Sequence, residues 1–305
     1  MTSHTAKLTP EQAEALRGIL AKRDFESAEV PHAVFSYKRP KLAITWYKSG
    51  KLLIQGKGTQ EFVEFTLESE VLGQAAFADA QPEQLEPRLG VDESGKGDFF
   101  GPLVVAGVYV NEPVARALDG LGVKDSKAIA SDKKIAALAK GIRDTPGCVY
   151  SVVPIGNASY NRLHQKMRNV NKILAWGHAR VIENLLGQRD RMNPEPLRAI
   201  SDQFARSKAA IQSALMEEGR QLKLVQMHKA ESDIAVAAAS ILARDLFVQR
   251  LSALGREFDL ELPKGASSKV DAAGAAFLKK HGMDKLGQAA KLHFRTTQKI
   301  QAGLL

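Results

Sequence analysis

Two neighbouring acids, Asp92 and Glu93, stand just before a run of glycines in Gly90-Val91-Asp92-Glu93-Ser94-Gly95-Lys96-Gly97-Asp98-Phe99-Phe100-Gly101-Pro102. Adjacent side chains on a strand point to opposite faces, but at a frayed strand end both carboxylates can reach one metal. Hard divalent cations take oxygen ligands of this kind. Gly95, Gly97 and Gly101 let the backbone turn tightly and approach a ligand closely. An Asp-Glu pair before a glycine turn also occurs as plain solvated turn chemistry, and a lone Gly-x-Gly says little. What sets this run apart is its sequel, Leu103 to Val110, which is too apolar for the surface and reads as a buried strand. Two further places offer acids. Asp202 ends the apolar segment Leu197 to Ser201, and a charge at the end of a buried strand needs a partner or a cation. Glu231 and Asp233 precede a helix from Ile234 to about Gln249, where the helix dipole favours an ionised carboxylate. Simple capping is the other reading there, and it suits Asp233.

The elements that must position these acids can be read from the same pattern. Leu89 and Val91 give the apolar side of a short strand before the glycines; Val149 to Pro154, Leu197 to Ser201 and Leu222 to Met227 give three more strands. Ser131-Asp132 caps a helix that runs to about Ile142. A long helix is expected from Ser159 to Leu186, with Leu163, Met167, Val170, Leu174, Val181 and Leu185 as a core stripe. His178 within it reads as a packed or hydrogen-bonded histidine rather than a metal ligand. Ala235, Ala237, Ala238, Ala239 and Ser240 are small enough for very close packing against a sheet.

The first part of the chain has a different character. Residues 1–7 read as a disordered start, and Thr9-Pro10-Glu11 as the entry to a helix ending near Arg23. Strands follow at Val34 to Tyr37, Leu42 to Lys48 and Leu52 to Gln55, with Ser49-Gly50 as a tight turn. A second helix is expected from Thr59 to Leu72, with Phe62, Phe65 and Leu72 on its apolar side. The aperiodic stretch 73–86 reads as a linker, so the expected domains are 1–72 and 87–305. Strands followed by strands alternating with helices imply a mixed sheet flanked by helices, an α/β fold.

A chain of 305 residues can bury a sizeable core. Its formal charge is +9, yet residues 1–85 hold ten lysines and arginines against eleven acids, so the basic excess lies in the larger part. Such an excess suits a polyanionic partner, and would equally serve solubility. The single cysteine, Cys148, cannot form an intrachain disulfide, which points to a reducing cytosol. No apolar run reaches the length of a membrane span.

The run from Gly90 to Pro102 resembles the signature of type 2 ribonucleases H, and in its Gly-Lys-Gly-Asp-Phe-Phe-Gly-Pro form that of ribonuclease HIII. The likeness continues through Asp125-Ser126-Lys127, Asp202-Gln203-Phe204, Lys229-Ala230-Glu231, Lys264-Gly265 and Lys291-Leu292-His293-Phe294, nearly the whole chain. It implies a ribonuclease H-like fold and a small N-terminal α+β domain similar to one repeat of TATA-binding protein. It also implies endonucleolytic hydrolysis of RNA in RNA/DNA hybrids, leaving a 5′-phosphate and a 3′-hydroxyl. By the resemblance, Asp92, Glu93 and Asp202 hold metal, and Glu231 is the fourth catalytic acid, with Asp233 as the alternative. Two Mg²⁺ or Mn²⁺ ions about 4 Å apart are expected among them. The backbone of Gly95, Lys96 and Gly97 would read ribose 2′-hydroxyls, so Gly95→Ala is expected to weaken cleavage while the fold stays intact. Lys124, Ser126 and Lys127 are placed near the substrate backbone, and Lys264, Lys291 and His293 along its groove; charged surface is the plain alternative for these. Tyr47, Lys48, Lys51 and Lys57 would hold substrate from the N-terminal domain, or be ordinary turn residues. A cytoplasmic monomer is expected. The alternatives are ribonuclease HII-like cleavage at single embedded ribonucleotides and a non-catalytic hybrid-binding protein.

Overall fold

The computed structural model describes residues 3–63, 66, 67, 71, 85–202, 219–227 and 230–303. The chain divides into two units, one of Met1–Glu83 with Asp119–Gly122 and one of Gln84–Leu118 with Val123–Leu305.

The first unit runs β1 (Ser3–Lys7), α1 (Pro10–Ala21), β2 (Glu26–Ser27), β3 (Ala33–Arg39), β4 (Leu42–Tyr47), β5 (Lys51–Gln55) and α2 (Thr59–Phe62). Its five strands form one antiparallel sheet in the order β1-β5-β4-β3-β2. The predicted disordered start is instead strand β1, with Ser3 opposite Gln55 and Lys7 opposite Lys51. Its sequence carries no apolar alternation, so its conformation comes from pairing with the open edge of β5 rather than from burial. Thr9 and Gln12 cap α1 reciprocally, and Pro10 stands at its first position. Leu16 and Leu20 of α1 pack with Ile44, Leu52 and Ile54 of the sheet, all fully buried. Phe62, Val63, Leu67 and Val71 close the same core. Phe65 and Leu72 lie outside the described residues, as does most of the predicted linker.

The second unit contains β6 (Arg88–Ser94), β7 (Leu103–Val110), all but the last two residues of α3 (Glu112–Gly120), α4 (Asp132–Asp144), β8 (Val149–Ile155), α5 (Asn157–Met167), α6 (Val170–Leu186), β9 (Arg198–Asp202), β10 (Lys223–Met227), α7 (Ile234–Glu257), α8 (Ser268–Ala289) and α9 (Arg295–Ala302). The sheet order is β10-β9-β6-β7-β8. Strands β6, β7 and β8 are antiparallel neighbours, while β9 and β10 run parallel to β6. All eight residues of β7 are buried, as expected for a strand covered on both faces. Helix α6 covers one face, where Val181 and Leu185 join Leu89, Val91 and Tyr109 in one core. Helix α7 covers the other so closely that a Cβ on Gly90 would lie 2.2 Å from the Ala235 carbonyl carbon. This is the packing that the small residues at the head of α7 predict.

The single long helix predicted for Ser159 to Leu186 is two helices. Arg168 takes a left-handed conformation at φ 51°, and Asn169 turns extended to cap α6, its side chain accepting from Asn171 N–H at 2.8 Å. An Asn side chain that bonds the local backbone competes with helix continuation, and the apolar spacing on either side hides the break. Helix α7 runs two turns past its predicted end, to Glu257. Helix α8 breaks at Gly282, where φ is 79°.

Candidate active site

Strand β6 ends in the acid pair. In its register with β7, Asp92 lies opposite Ala106 and Glu93 opposite Val105, so the pair belongs to the ladder itself. Alternation sends Asp92 toward α7 and Glu93 toward α6. The two sides are furnished differently. Asp92 is 9 % exposed and lies against Ser240, whose hydroxyl is 2.7 Å from that of Ser126. Burial, then the charge of Glu93, pushes the Asp92 carboxyl up to about 7, with Ser240 pulling the other way. Glu93 is bonded to His178, which donates from Nε2 to Oε2 at 3.0 Å, and Lys96 Nζ is 3.7 Å from its other oxygen. Burial raises the Glu93 carboxyl, but His178, Lys96 and Lys127 outweigh it and hold the group below its ordinary value. His178 is thus a bonded histidine, as its sequence context suggests.

Parallel pairing of β6 with β9 places Val91 beside Ser201, so the next residues, Asp92 and Asp202, stand at the same level on neighbouring strands. Strand neighbours are about 4.8 Å apart. Asp202 also pairs with Met227 at the end of β10, after which the single turn Ala230–Ser232 carries Glu231 into the start of α7. The backbone therefore brings all four predicted acids to one end of the sheet; the side chains of Asp202 and Glu231 are outside the described set. Asp233 is otherwise engaged. One oxygen accepts from Ala235 N–H at 2.8 Å as the cap of α7, and the other accepts from the buried Arg88 Nε at 2.7 Å.

The two β6 acids open into a cleft of about 620 Å³ lined by Asp92, Glu93, Ser94, Gly95, Lys96, Gly97, Asp98, Ser126, Lys127, Ser240, Arg244, Phe247, Val248 and Lys264. A larger and shallower groove of about 830 Å³ along 248–264 holds neither β6 acid. The glycine loop forms one wall of the acid cleft. At φ 91°, a Cβ on Gly95 would lie 2.2 Å from the Pro102 carbonyl oxygen, whereas one on Gly97 would meet nothing within 4 Å. The expectation that Gly95→Ala leaves the fold intact is therefore corrected: Gly95 is required by the loop's own packing. Phe99 and Phe100 are fully buried and anchor the loop. The Asp98 carboxylate accepts from Gly265 N–H at 2.6 Å, and Phe99 N–H donates to the Gly265 carbonyl at 2.9 Å.

The opposite wall is the loop with Ser126 and Lys127. Arg244 of α7 fixes it by donating to the carbonyls of Ser126 and, at 2.8 Å, Ile129. Arg244 also reaches Asp132 at 3.1 Å, and Asp132 accepts from Lys264 Nζ at 2.5 Å. Lys124 lies just upstream, half-buried and off the cleft lining. Ser240 and Arg244 were legible in sequence only as one turn of α7, four residues apart, and sequence reasoning assigned Ser240 to packing and Arg244 to nothing. Lys291 is a second correction. Sequence placed it along the groove, but it is fully buried beneath the glycine loop, because it donates to the Asp98 carbonyl at 2.8 Å and to that of Gly101 at 2.6 Å. His293 is exposed and stacks on His164, ring centroids 4.3 Å apart.

In the first unit, Tyr47, Lys48 and Lys51 gather at the β4–β5 turn, where Gly50 N–H donates to the Tyr47 carbonyl at 2.9 Å. Lys57 lies beyond the far end of the five-residue β5, a separation on the order of 15 Å. The three lysines are exposed. Among the described residues, no helix is long and apolar enough to cross a membrane.

Comparison with known proteins agrees with this geometry. The ribonuclease HII family model matches residues 89–297, and a domain of unknown function (DUF3378) matches residues 4–72. The chain is 44% identical to ribonuclease HIII of Chlamydia pneumoniae over 301 residues, covering 97% of each chain. It is 43% identical to ribonuclease HIII of Protochlamydia amoebophila over 289 residues, covering 94% of this chain and 93% of that one. The crystal structure of Bst-RNase HIII in complex with Mn²⁺ superposes with a TM-score of 0.67 at 34% identity, covering 99% of this chain and 98% of that one. With the acid-lined cleft at the end of a ribonuclease H-like sheet and near full-length similarity on both sides of it, the chain belongs to the ribonuclease HIII family of metal-dependent ribonucleases.

Proposed function

We propose that this ribonuclease cleaves the RNA strand of RNA/DNA hybrids endonucleolytically, leaving a 5′-phosphate and a 3′-hydroxyl, as a cytoplasmic monomer. The observation that carries the reading is the shared cleft of Asp92, Glu93, the glycine loop and Lys127. The donor set suits a hard divalent cation, Mg²⁺ or Mn²⁺. It offers carboxylate oxygens only, and the burial that pushes the Asp92 carboxyl up to about 7 is a charge cost that a cation removes. Asp92, Glu93 and Asp202 would hold two such ions with Glu231 as the fourth acid, since both oxygens of Asp233 are taken by the α7 cap and Arg88. When bound, the cations lower the pKa of the attacking water and neutralise charge on the leaving 3′ oxygen.

The rest of the work falls to the chain. His178 holds Glu93 ionised and oriented. The backbone of Gly95, Lys96 and Gly97 meets the ribose 2′-hydroxyl, the group that tells RNA from DNA. Ser126, Lys127 and the adjacent Lys124 meet phosphates across the cleft, which positions the strand without reading its sequence. Tyr47, Lys48, Lys51 and Lys57 of domain 1–72 hold the duplex, and the 73–86 linker joins that domain to the catalytic domain 87–305. The test is cleavage of three labelled substrates by the parent and by Asp92→Asn: an all-ribonucleotide hybrid, DNA with one embedded ribonucleotide, and plain DNA. Hybrid cleavage that needs Mg²⁺ or Mn²⁺ and vanishes in Asp92→Asn is expected. Preference for the single ribonucleotide would move the chain to ribonuclease HII-like specificity, and hybrid binding without cleavage would sink the proposal.

A further inference from the structure

Fully buried lysines are rare, and Lys291 is one of them. Its ammonium donates to the Asp98 carbonyl at 2.8 Å and the Gly101 carbonyl at 2.6 Å, the two ends of the turn Asp98-Phe99-Phe100-Gly101. Asn157 donates to the same Gly101 carbonyl at 2.8 Å. The Tyr160 ring closes the pocket, its centroid 5.7 Å from the ammonium. Lys291 is itself held in place. Its N–H donates to the Phe99 carbonyl at 2.8 Å, and Asn161 clasps the chain on either side by donating to the Ala290 carbonyl and accepting from Leu292 N–H, at 2.9 and 3.0 Å.

Burying an ammonium is costly. It pulls the Lys291 pKa down to about 7 against the charge of Asp98. An apolar side chain of similar volume generally serves stability as well or better. What an apolar residue cannot do is turn two loop carbonyls inward and keep them there. We propose that Lys291 is a positioning residue for the ribonuclease reaction, fixing the glycine loop over the cleft through the Asp98 and Gly101 carbonyls. This rests on the reading of that loop as a substrate contact. Lys291 touches no reacting atom, so its effect passes through Gly95, Lys96 and Gly97.

The experiment compares Lys291→Met, Lys291→Gln and Gly97→Ala with the parent in the full chain, by steady-state hybrid cleavage, thermal melting and amide hydrogen exchange. Lys291→Met is expected to raise KM about tenfold, the scale of losing a charge-assisted buried hydrogen bond. Its kcat should fall much less, and exchange over 95–101 should quicken while β7 stays protected. Lys291→Gln, which keeps one donor, should fall between. A folded Lys291→Met or Lys291→Gln protein with parental KM and parental loop exchange overturns the inference, as does a loss confined to kcat and melting temperature. If Gly97→Ala raises KM and Lys291→Met does not, the inference alone fails. If Gly97→Ala leaves KM unchanged, the loop is not a substrate contact and the underlying reading fails. Should neither Lys291 variant fold, exchange in the parent decides: amides at 99–101 protected like those of β7 support the clamp, and surface-like exchange refutes it.

Discussion

The two sheets of this chain solve different problems. The N-terminal sheet is antiparallel throughout, and its candidate substrate lysines are exposed at turns and strand ends, beside a half-buried Tyr47. The catalytic sheet is mixed, is covered on both faces, and largely buries the two acids that end its central strand. Several of its buried charges are paired: Arg88 with Asp233, Glu93 with His178, Asp245 with Arg143. Buried charges require partners and exposed ones do not. Side-chain roles are therefore written into the geometry of the second unit, and left to electrostatics in the first.

Substitutions can break or sharpen this contrast. The largest effect is expected from Asp92→Asn, which should reduce hybrid cleavage at least about a thousandfold, the scale for removing a group that acts on reacting atoms. The same variant should be more stable than the parent above pH 7 without divalent cation. The Asp92 carboxyl titrates near 7 when folded and near 3.8 when unfolded, so its contribution to stability is full below 3.8 and lost as pH rises through about 7. Melting curves from pH 4 to 8 check this, and added Mn²⁺ should close the gap by stabilising only the parent.

Gly95→Ala should lower stability by about 1–3 kcal/mol through strain and the clash with Pro102. Gly97→Ala should stay within about 0.5 kcal/mol of the parent by denaturant melts. Equal losses in the two would mean that the loop is not built as described. Next in size, His178→Gln should cost about tenfold in activity. It should also move the acid limb of the pH–rate profile upward, because Glu93 loses the bond that holds its pKa down. The smallest effect is expected from Lys48→Gln with Lys51→Gln, a KM rise of about threefold with the salt slope of binding reduced by about 1–2. An effect as large as that of His178→Gln would erase the contrast between the two units.

How much of this was legible in the sequence follows from burial as well. The strands of the catalytic sheet read correctly because apolar runs such as Leu103 to Val110 must be interior. Strand β1 did not, since Ser-His-Thr-Ala-Lys buries little and gains its form from a neighbour. The break at Arg168-Asn169 was masked by helical spacing that continues across it, and only the Asn169 side chain marks it. Within the site, the Asp92-Glu93 pair, the glycine loop and Ser126-Lys127 stand out by residue type and do share one cleft. The clamp by Arg244, the tie from Asp98 to Gly265 and the burial of Lys291 all depend on contacts more than a hundred residues apart. No local pattern announces them.

The contact between Gly90 and Ala235 has a bearing on how such a centre can drift. Strand β6 and helix α7 meet there nearly main chain to main chain, with only the Ala235 methyl at the contact. The distance from the β6 acids to the segment bearing Glu231 is thus insulated from ordinary substitution. A change at position 90 to anything larger would push the strand and the helix apart together, and so shift every acid on one side of the cleft relative to the other.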